Sequence, residues 1–229
     1  MAKRVEHRHE ILENPEAIQE KLVGAELWLE NNSKLVIGAA VGVALLVAGY
    51  FGFQYYKSNQ NESAQRDMFQ AVYFFEADSL DKALNGDGND LGFLDIIEEY
   101  GVTDAANLAN YYAGAIYLKQ GKFNVARMYL EDFSSNDLLV QARAYSLIGD
   151  TYMEENNFEE AAKFYNKAAN YKPNKFFSPT YLMKEALAYE KANKIAEAKE
   201  AYDKVINQYW DSSEYQKARK MKARLDVNS

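Results

Sequence analysis

The chain has 229 residues, a formal net charge of −8 and no cysteine, which excludes disulfides, thiolate nucleophiles and cysteine-based zinc sites. Its only histidines, His7 and His9, lie in a charged N-terminal tail, so the folded part has no histidine for a catalytic triad. With 48% apolar residues and only three prolines, which break helix interiors, the composition favours an all-α protein, and we expect no enzymatic activity and no cofactor or metal.

The first predicted element is an amphipathic helix from Pro15 to Leu29, within an N-terminal tail of residues 1–33. Proline suits the first turn of a helix because the N–H it lacks would be unpaired there anyway, and Asn14 is suited to cap the turn. Apolar side chains at helical spacing define one face, Ile18, Leu22, Ala25 and Leu29, and Trp28 lies beside it. We predict that this face docks onto a partner protein at a membrane surface. The alternative is a short helix that only leads into the next element.

The second element is an uncharged apolar run, residues 35–53, inside a predicted transmembrane helix over residues 34–57. At a rise of about 1.5 Å per residue the run reaches roughly 28 Å, which matches the ~30 Å hydrocarbon core of a bilayer. A cleaved signal peptide is the alternative, but the run is long, lies 34 residues into the chain and lacks an Ala-x-Ala exit. Gly38 and Gly42 form a Gly-x-x-x-Gly pair, so we predict that another helix can pack closely on this face.

Residues 58–104 are predicted to hold a linker helix and a degenerate first repeat. A long helix is expected from Asn61 to Leu84, continuing the membrane helix outward, and a loop follows at Asn85–Asp90. Five residues fall on positions 1, 3, 6, 9 and 12 of a calcium-binding loop: Asp87, Asn89, Gly92, Asp95 and Glu98. Because Leu91 occupies the fifth position, where an oxygen ligand is needed, we predict an ordinary polar connector, with cation binding as the alternative.

Residues 105–212 contain a pattern that repeats three times around Tyr117, Tyr152 and Tyr189, which are 35 and 37 residues apart. A small residue precedes each tyrosine by three positions, a Gly or Asn follows it by four, and an alanine follows it by nine. Gly and Asn tolerate the left-handed backbone that ends helices, so each copy is predicted to be two helices joined by a tight turn. Such periods are typical of stacked repeats that bind other proteins. Residues 213–229 are then a capping helix and tail.

The boundaries of the predicted helices follow from these turns and from apolar periodicity. They are 92–100, 104–120, 122–133, 138–155, 158–171, 178–192, 195–209 and 212–226.

The three copies resemble the tetratricopeptide repeat (TPR). In the second copy, with Gly149 at the eighth position of the motif, the residues on signature positions are Tyr145, Ile148, Tyr152, Ala161, Tyr165, Ala168 and Pro173. The resemblance implies a helical-repeat solenoid in which the first helix of each repeat lines a concave groove for peptide segments. The groove residues that it implies are Leu108, Tyr111, Lys119, Arg143, Asp150, Met153, Met183, Leu187 and Glu190. The alternative is that these side chains only form a solvated concave face.

The order of a short tail, one span and a C-terminal repeat domain also resembles the YfgM-type ancillary subunits of the bacterial Sec translocon. The tract GFLDIIEEYGVTDAANLANYYAGAIYLKQGKF is similar to the domain of that family. The resemblance implies a single-pass protein of the bacterial inner membrane with a periplasmic repeat domain. Its partners would be Sec channel subunits, chaperones or client polypeptides, to which it hands over translocated chains.

The charge of the flanks agrees with that orientation. Residues 1–34 hold five Lys/Arg against three in residues 54–87, which favours a cytoplasmic N-terminus. The alternative function is a scaffold or assembly factor of another envelope machine, with homo-oligomers formed through the small-residue face of the span as one form of it. Nucleic acid is not expected as a partner of an acidic, membrane-anchored chain.

Overall fold

The computed structural model describes residues 15–227, and within this range nothing is described of the side chains of residues 15–18 and 20. All regular structure in the described part is α-helical, which confirms the predicted fold class. The helices are α1 (Pro15–Asn31), α2 (Ser33–Glu76), α3 (Leu80–Asn85), α4 (Phe93–Glu99), α5 (Asp104–Lys119), α6 (Phe123–Asp132), α7 (Val140–Glu154), α8 (Phe158–Asn170), α9 (Ser178–Lys191), α10 (Ile195–Gln208) and α11 (Tyr215–Val227).

The chain divides into two compact units that meet in the sequence at Tyr56 and Lys57. In the first unit, α1 covers the helix predicted from Pro15 to Leu29. The uncharged run in α2 is long and apolar enough to cross a membrane, and none of its most hydrophobic stretch is buried. His7, His9 and Asn14 lie outside the described residues.

The predicted helix from Asn61 to Leu84 is wrong at its end. The helix stops at Glu76, Asp78 adopts a left-handed φ of 55°, and the separate helix α3 begins at Leu80. The turn is closed by the Ser79 N–H, which donates to the Phe74 carbonyl over 2.8 Å. The break allows α3 to bury Leu84, which is 3% exposed.

In the second unit, α5–α6, α7–α8 and α9–α10 form three antiparallel pairs, and α11 packs on α10. The turns inside the pairs have left-handed φ values at Gly121 (73°), Asn156 (61°) and Asn193 (58°), as the pattern predicts. In each turn the carbonyl of the repeated tyrosine accepts a backbone hydrogen bond from the residue five positions later, at 2.9 Å. This is the Schellman arrangement, which pairs carbonyls that the end of a helix would otherwise leave open.

The second unit is held together by small residues where helices touch. The alanines nine positions after each tyrosine are all 0% exposed. The part of α2 after Lys57 joins α3, α4 and α5 in one core around Phe93 and Ile96, both 0% exposed. The segment before the first pair is thereby packed against α5.

Candidate functional site

A cleft of about 620 Å³ crosses the first helices of the three pairs, α5, α7 and α9. Its lining residues come mainly from the C-terminal halves of these helices, with additions from α6 and α8. They are Leu118, Lys119, Gly121, Phe123, Asp150, Met153, Glu154, Tyr165, Lys184 and Leu187. A cleft of this volume over three helices has the shape needed for an extended or helical peptide segment.

A charged network occupies the middle of the cleft. The Lys184 Nζ lies 2.8 Å from Asp150 Oδ1 and 3.0 Å from Oδ2, and it donates to Ser146 Oγ at 3.1 Å. The same ammonium lies 5.3 Å above the ring of Tyr165, close enough for a cation–π contact. The Tyr165 hydroxyl donates to Asp150 Oδ1 over 2.6 Å. These bonds fix the positions of the charges before any ligand arrives.

The Tyr165 hydroxyl remains a neutral donor in this network. Burial raises the pKa of Tyr165 above its usual range, and the nearby Asp150 carboxylate raises it further. The hydroxyl therefore keeps its proton, and with it the hydrogen bond to Asp150, at physiological pH.

The walls beside the network are apolar. Leu187 lines the cleft and is 45% exposed there. Met153 and Leu118 line the same cleft. Methionine and leucine walls adapt to varied apolar side chains, while a fixed ion pair orients the polar groups of a ligand.

A second cleft of about 500 Å³ lies between α9 and α11 and shares Lys184 and Leu187 with the first. Glu190 closes one side, because it accepts from the Tyr202 hydroxyl at 2.6 Å and pairs with Arg224 of the last helix. The other lining residues are Thr180, Met183, Ser213, Glu214, Lys217 and Met221. The two clefts adjoin each other at Lys184 and Leu187, which line both.

The structure brings six of the nine predicted groove residues to these clefts. Lys119, Asp150, Met153 and Leu187 line the first cleft, and Met183, Leu187 and Glu190 line the second. Lys119 also pairs with Asp78 at 3.0 Å.

The other three predicted groove residues line neither cleft. The ring of Tyr111 packs at 5.4 Å from the ring of Phe133, and Leu108 packs in the same apolar cluster. Arg143 is exposed. Tyr111 and Leu108 therefore contribute to packing between helices, because their end of α5 lies next to the loop after α6.

Sequence reasoning missed Lys184, the cation at the centre of the cleft. The repeat pattern gave no signal for this pair, because the position equivalent to Asp150 in the third copy is Leu187, 37 residues later, and Lys184 lies three positions before it. The two charges meet only when the neighbouring repeats stack. Tyr165 was identified only as a signature residue of the repeat, although its hydroxyl also belongs to the network.

The predicted docking residues of the first unit are open to solvent where they are described. Leu22, Trp28 and Leu29 are 63%, 56% and 47% exposed. A Cβ added to Gly38 or Gly42 would meet nothing within 4 Å. The Ile18 side chain lies outside the described part. Docking through these residues stays a prediction.

The loop considered for calcium uses its carboxylates for local hydrogen bonds. Asp87 Oδ1 accepts from the backbone N–H groups of Asn89 and Asp90, and these bonds lower the pKa of Asp87. Asp95 Oδ2 accepts from the Gly92 N–H at 2.9 Å, at the start of α4. Among residues 15–227, no group of three or more acidic or histidine side chains could hold a metal ion.

Glu185 is a carboxylate inside the fold, 3% exposed, on the side of α9 that faces α8 and α10. Its Oε1 accepts from Asn166 Nδ2 at 3.0 Å, but its Oε2 has no hydrogen-bond partner. Burial raises the pKa of Glu185 above its ordinary value, against a smaller opposite effect of the Asn166 bond.

We expect Glu185→Gln to stabilise the protein at pH 8 by about 1–2 kcal/mol, because it replaces a charge that burial disfavours with a neutral polar group of the same size. A raised folded-state pKa means that the unfolded chain ionises first as the pH rises above the ordinary value of 4.5. The wild type therefore loses stability through that window, whereas glutamine keeps the acceptor for Asn166 and does not titrate. Urea unfolding of the full chain in detergent between pH 4 and pH 8 measures the difference.

The matched control is Glu131→Gln, at an exposed position of α6. This variant should follow the wild-type curve. If Glu185→Gln also follows it at every pH, the buried carboxyl carries no cost and the prediction is wrong.

Two segments of the chain match family models of the tetratricopeptide repeat, residues 142–175 and residues 181–212. The first segment covers most of α7 and all of α8, and the second covers most of α9 and all of α10. The C-terminal region therefore contains tetratricopeptide repeats, as the second and third copies of the pattern predict. A comparison with curated proteins gives no significant match.

Proposed function

We propose that this protein is a membrane-anchored, non-enzymatic TPR scaffold whose cleft over α5, α7 and α9 binds a polypeptide segment of a partner. TPR repeats are in general protein–protein interaction modules, which supports the coarse assignment. The observation that supports peptide binding in this particular cleft is the composition of the cleft. An ordered Asp150–Lys184 pair lies between apolar walls that include Leu187, which no helix of the second unit covers.

The ion pair has a defined role in this proposal. Its two charges are held by one another, by Tyr165 and by Ser146, so they are oriented without a ligand. A bound backbone can hydrogen-bond to such fixed groups while its apolar side chains contact Met153 and Leu187. The pair acts as a positioning device for a peptide and not as an acid–base couple.

The anchor in this proposal is the apolar run of α2, with the N-terminus in the bacterial cytoplasm and the repeats in the periplasm. The support is the length, hydropathy and exposure of this helix together with the charge bias of its flanks. The order of tail, span and repeats supports association with the Sec translocon. The protein would then hold emerging chains and hand them to periplasmic chaperones.

A site-specific photo-crosslinker at Leu187 in the full chain tests the proposal in intact cells. Leu187 lies in both clefts, so we expect adducts with polypeptides that mass spectrometry can identify. The same crosslinker at Met128, which is 51% exposed on α6, is the matched control and should give few adducts. Adding Lys184→Glu should reduce the Leu187 adducts strongly, because two carboxylates would then repel each other in the cleft.

Each outcome separates one part of the proposal. Equal adducts at Leu187 and Met128 would refute binding in the cleft. Cleft-specific adducts without Sec channel subunits or exported chains would refute the translocon assignment and favour another envelope machine. A crosslinker at Gly42 that yields mainly homodimers would favour the homo-oligomeric alternative, because the small-residue face of α2 is open to a second helix.

A further inference from the structure

The loops that connect one helix pair to the next carry a row of exposed apolar side chains. These residues are between 36% and 72% exposed, and they are Val102, Leu138, Leu139, Phe176, Phe177 and Trp210. The turns inside the pairs differ sharply, since they read Gln-Gly-Lys, Glu-Asn-Asn and Ala-Asn-Lys. The repeat unit therefore has an apolar loop edge, formed by those six residues, and a polar turn edge.

Hydrogen bonds and ion pairs join the connecting loops to one another along the apolar loop edge. Asn107, just after the first loop, exchanges two hydrogen bonds with Ser134 in the second loop. Tyr171 in the third loop donates to the Ser135 carbonyl at 2.7 Å. Lys175 in the third loop then pairs with Asp211 in the fourth at 3.2 Å. The four loops thus lie side by side.

The chain enters the repeat unit at this same edge. Lys57, the first residue of the unit, pairs with Asp104 at 2.8 Å, and Asn61 Oδ1 accepts from the Ala105 N–H at 2.9 Å. Both partners follow directly after the first loop. The opposite end of this part of α2 lies at the polar turn edge, where Asp78 contacts Lys119.

The sequence ties Lys57 to the apolar run of residues 35–53. Only three residues separate them, and four residue steps of even a fully extended chain reach no more than about 14 Å. If the run spans a bilayer, Lys57 is held at the membrane surface, and the end of the apolar loop edge beside Lys57 lies close to that surface.

We propose that the apolar loop edge rests on the bilayer, with the aromatic rings of Phe176, Phe177 and Trp210 at the boundary between headgroups and acyl chains. This inference rests on the proposed membrane anchor. Aromatic side chains favour that boundary, since an indole can bury its ring and keep its N–H hydrated. The repeat unit is thereby fixed in orientation and does not swing freely from its tether.

The charges of the edge indicate apolar insertion and not attraction to anionic lipid. Lys57 is paired with Asp104, and Lys175 is paired with Asp211. Lys172 donates to the Asn136 carbonyl and lies near the Asp137 carboxylate, so each lysine of the connecting loops has an acidic group close by. The contact should therefore form on zwitterionic phosphatidylcholine and should change little with salt. The peptide cleft stays accessible, because Asp150, Met153 and Leu187 lie in the helix halves nearer the polar turn edge.

The two tryptophans of the chain allow a direct test. In the full chain with Trp28→Phe, Trp210 is the only indole and can be observed in phosphatidylcholine nanodiscs. We expect its emission to be blue-shifted and to lose much of its intensity when the lipid chains carry bromine near the headgroup. Bromine at the chain ends should quench it less.

A matched probe places the only indole on the polar turn edge. It is the tryptophan of the variant Asn157→Trp, which also carries Trp28→Phe and Trp210→Phe. Asn157 is exposed and its side chain makes no capping hydrogen bond. This probe should emit as a hydrated indole and resist quenching. Equal quenching of both probes, or none at Trp210, would overturn the proposal. A blue shift without bromine quenching would also overturn it, because the indole would then be buried in protein and not in lipid.

A third probe separates this inference from the anchor itself. Leu45→Trp, with Trp28→Phe and Trp210→Phe, places the only indole in the apolar run. If it is quenched by chain-end bromine while Trp210 is not quenched at all, the anchor stands and the edge proposal falls. If neither is quenched, the membrane span is refuted together with the inference that depends on it.

Discussion

Replacing Phe93 with alanine should lower the free energy of unfolding of the repeat unit by about 3–5 kcal/mol, as expected for a fully buried aromatic ring. The Phe93 side chain is 0% exposed and stacks on Tyr112, with 4.8 Å between ring centroids and 4° between ring planes. Phe75 meets the same ring edge-on at 6.5 Å. The lower free energy of unfolding therefore has three causes: less apolar surface is buried, a cavity is left, and two aromatic contacts are lost. Urea unfolding of the full chain in detergent measures it.

Phe69 provides the matched control, because it is also a phenylalanine before the first helix pair but is 72% exposed. Phe69→Ala should change the free energy of unfolding by no more than about 0.5 kcal/mol. If both variants lose equally little, residues 57–103 do not share a core with α5, and the prediction of a degenerate first repeat in residues 58–104 fails. A large loss only at Phe93 supports that prediction.

The repeated helix pairs were predictable because several local signals coincide in each copy. In the second copy, Asn156 supplies the left-handed residue, and Tyr152 supplies the carbonyl that closes the turn. Ala161 then lies fully buried where the returning helix crosses its partner. Each signal depends on residues within about ten positions, so sequence alone is sufficient to find it.

The end of α2 and the centre of the cleft were not predictable in this way. The turn at Asp78 exists because Leu84 must reach a core formed with α5, and apolar periodicity continues across the break. Lys184 meets Asp150 only when two repeats stack. Both features depend on residues far apart in the sequence, and local patterns cannot decide them.

Gly149→Ala should destabilise the protein by about 1–3 kcal/mol, the usual cost of an extra methyl group in a packed interface. A Cβ at Gly149 would lie 2.7 Å from Cε1 and 2.8 Å from Cδ1 of the Tyr165 ring. The ring cannot easily withdraw, because its hydroxyl is bonded to Asp150 and Lys184 lies over its face. Urea unfolding gives the loss, and reduced crosslinking at Leu187 should accompany it, since the displaced ring belongs to the cleft.

A double-mutant cycle with Tyr165→Leu shows whether the ring is the cause. Leucine lacks Cε1, Cζ and the hydroxyl that fixes the ring, and its Cδ atoms can rotate away, so Gly149→Ala should cost much less in the Tyr165→Leu background than in the wild type. If the losses of the two single variants simply add in the double variant, the Tyr165 ring is not the cause of the cost of Gly149→Ala. The third repeat provides an internal comparison, because Ala186 already stands at the equivalent position opposite Tyr202. An unchanged stability of Gly149→Ala would therefore mean that α7 and α8 can separate to admit the same methyl group.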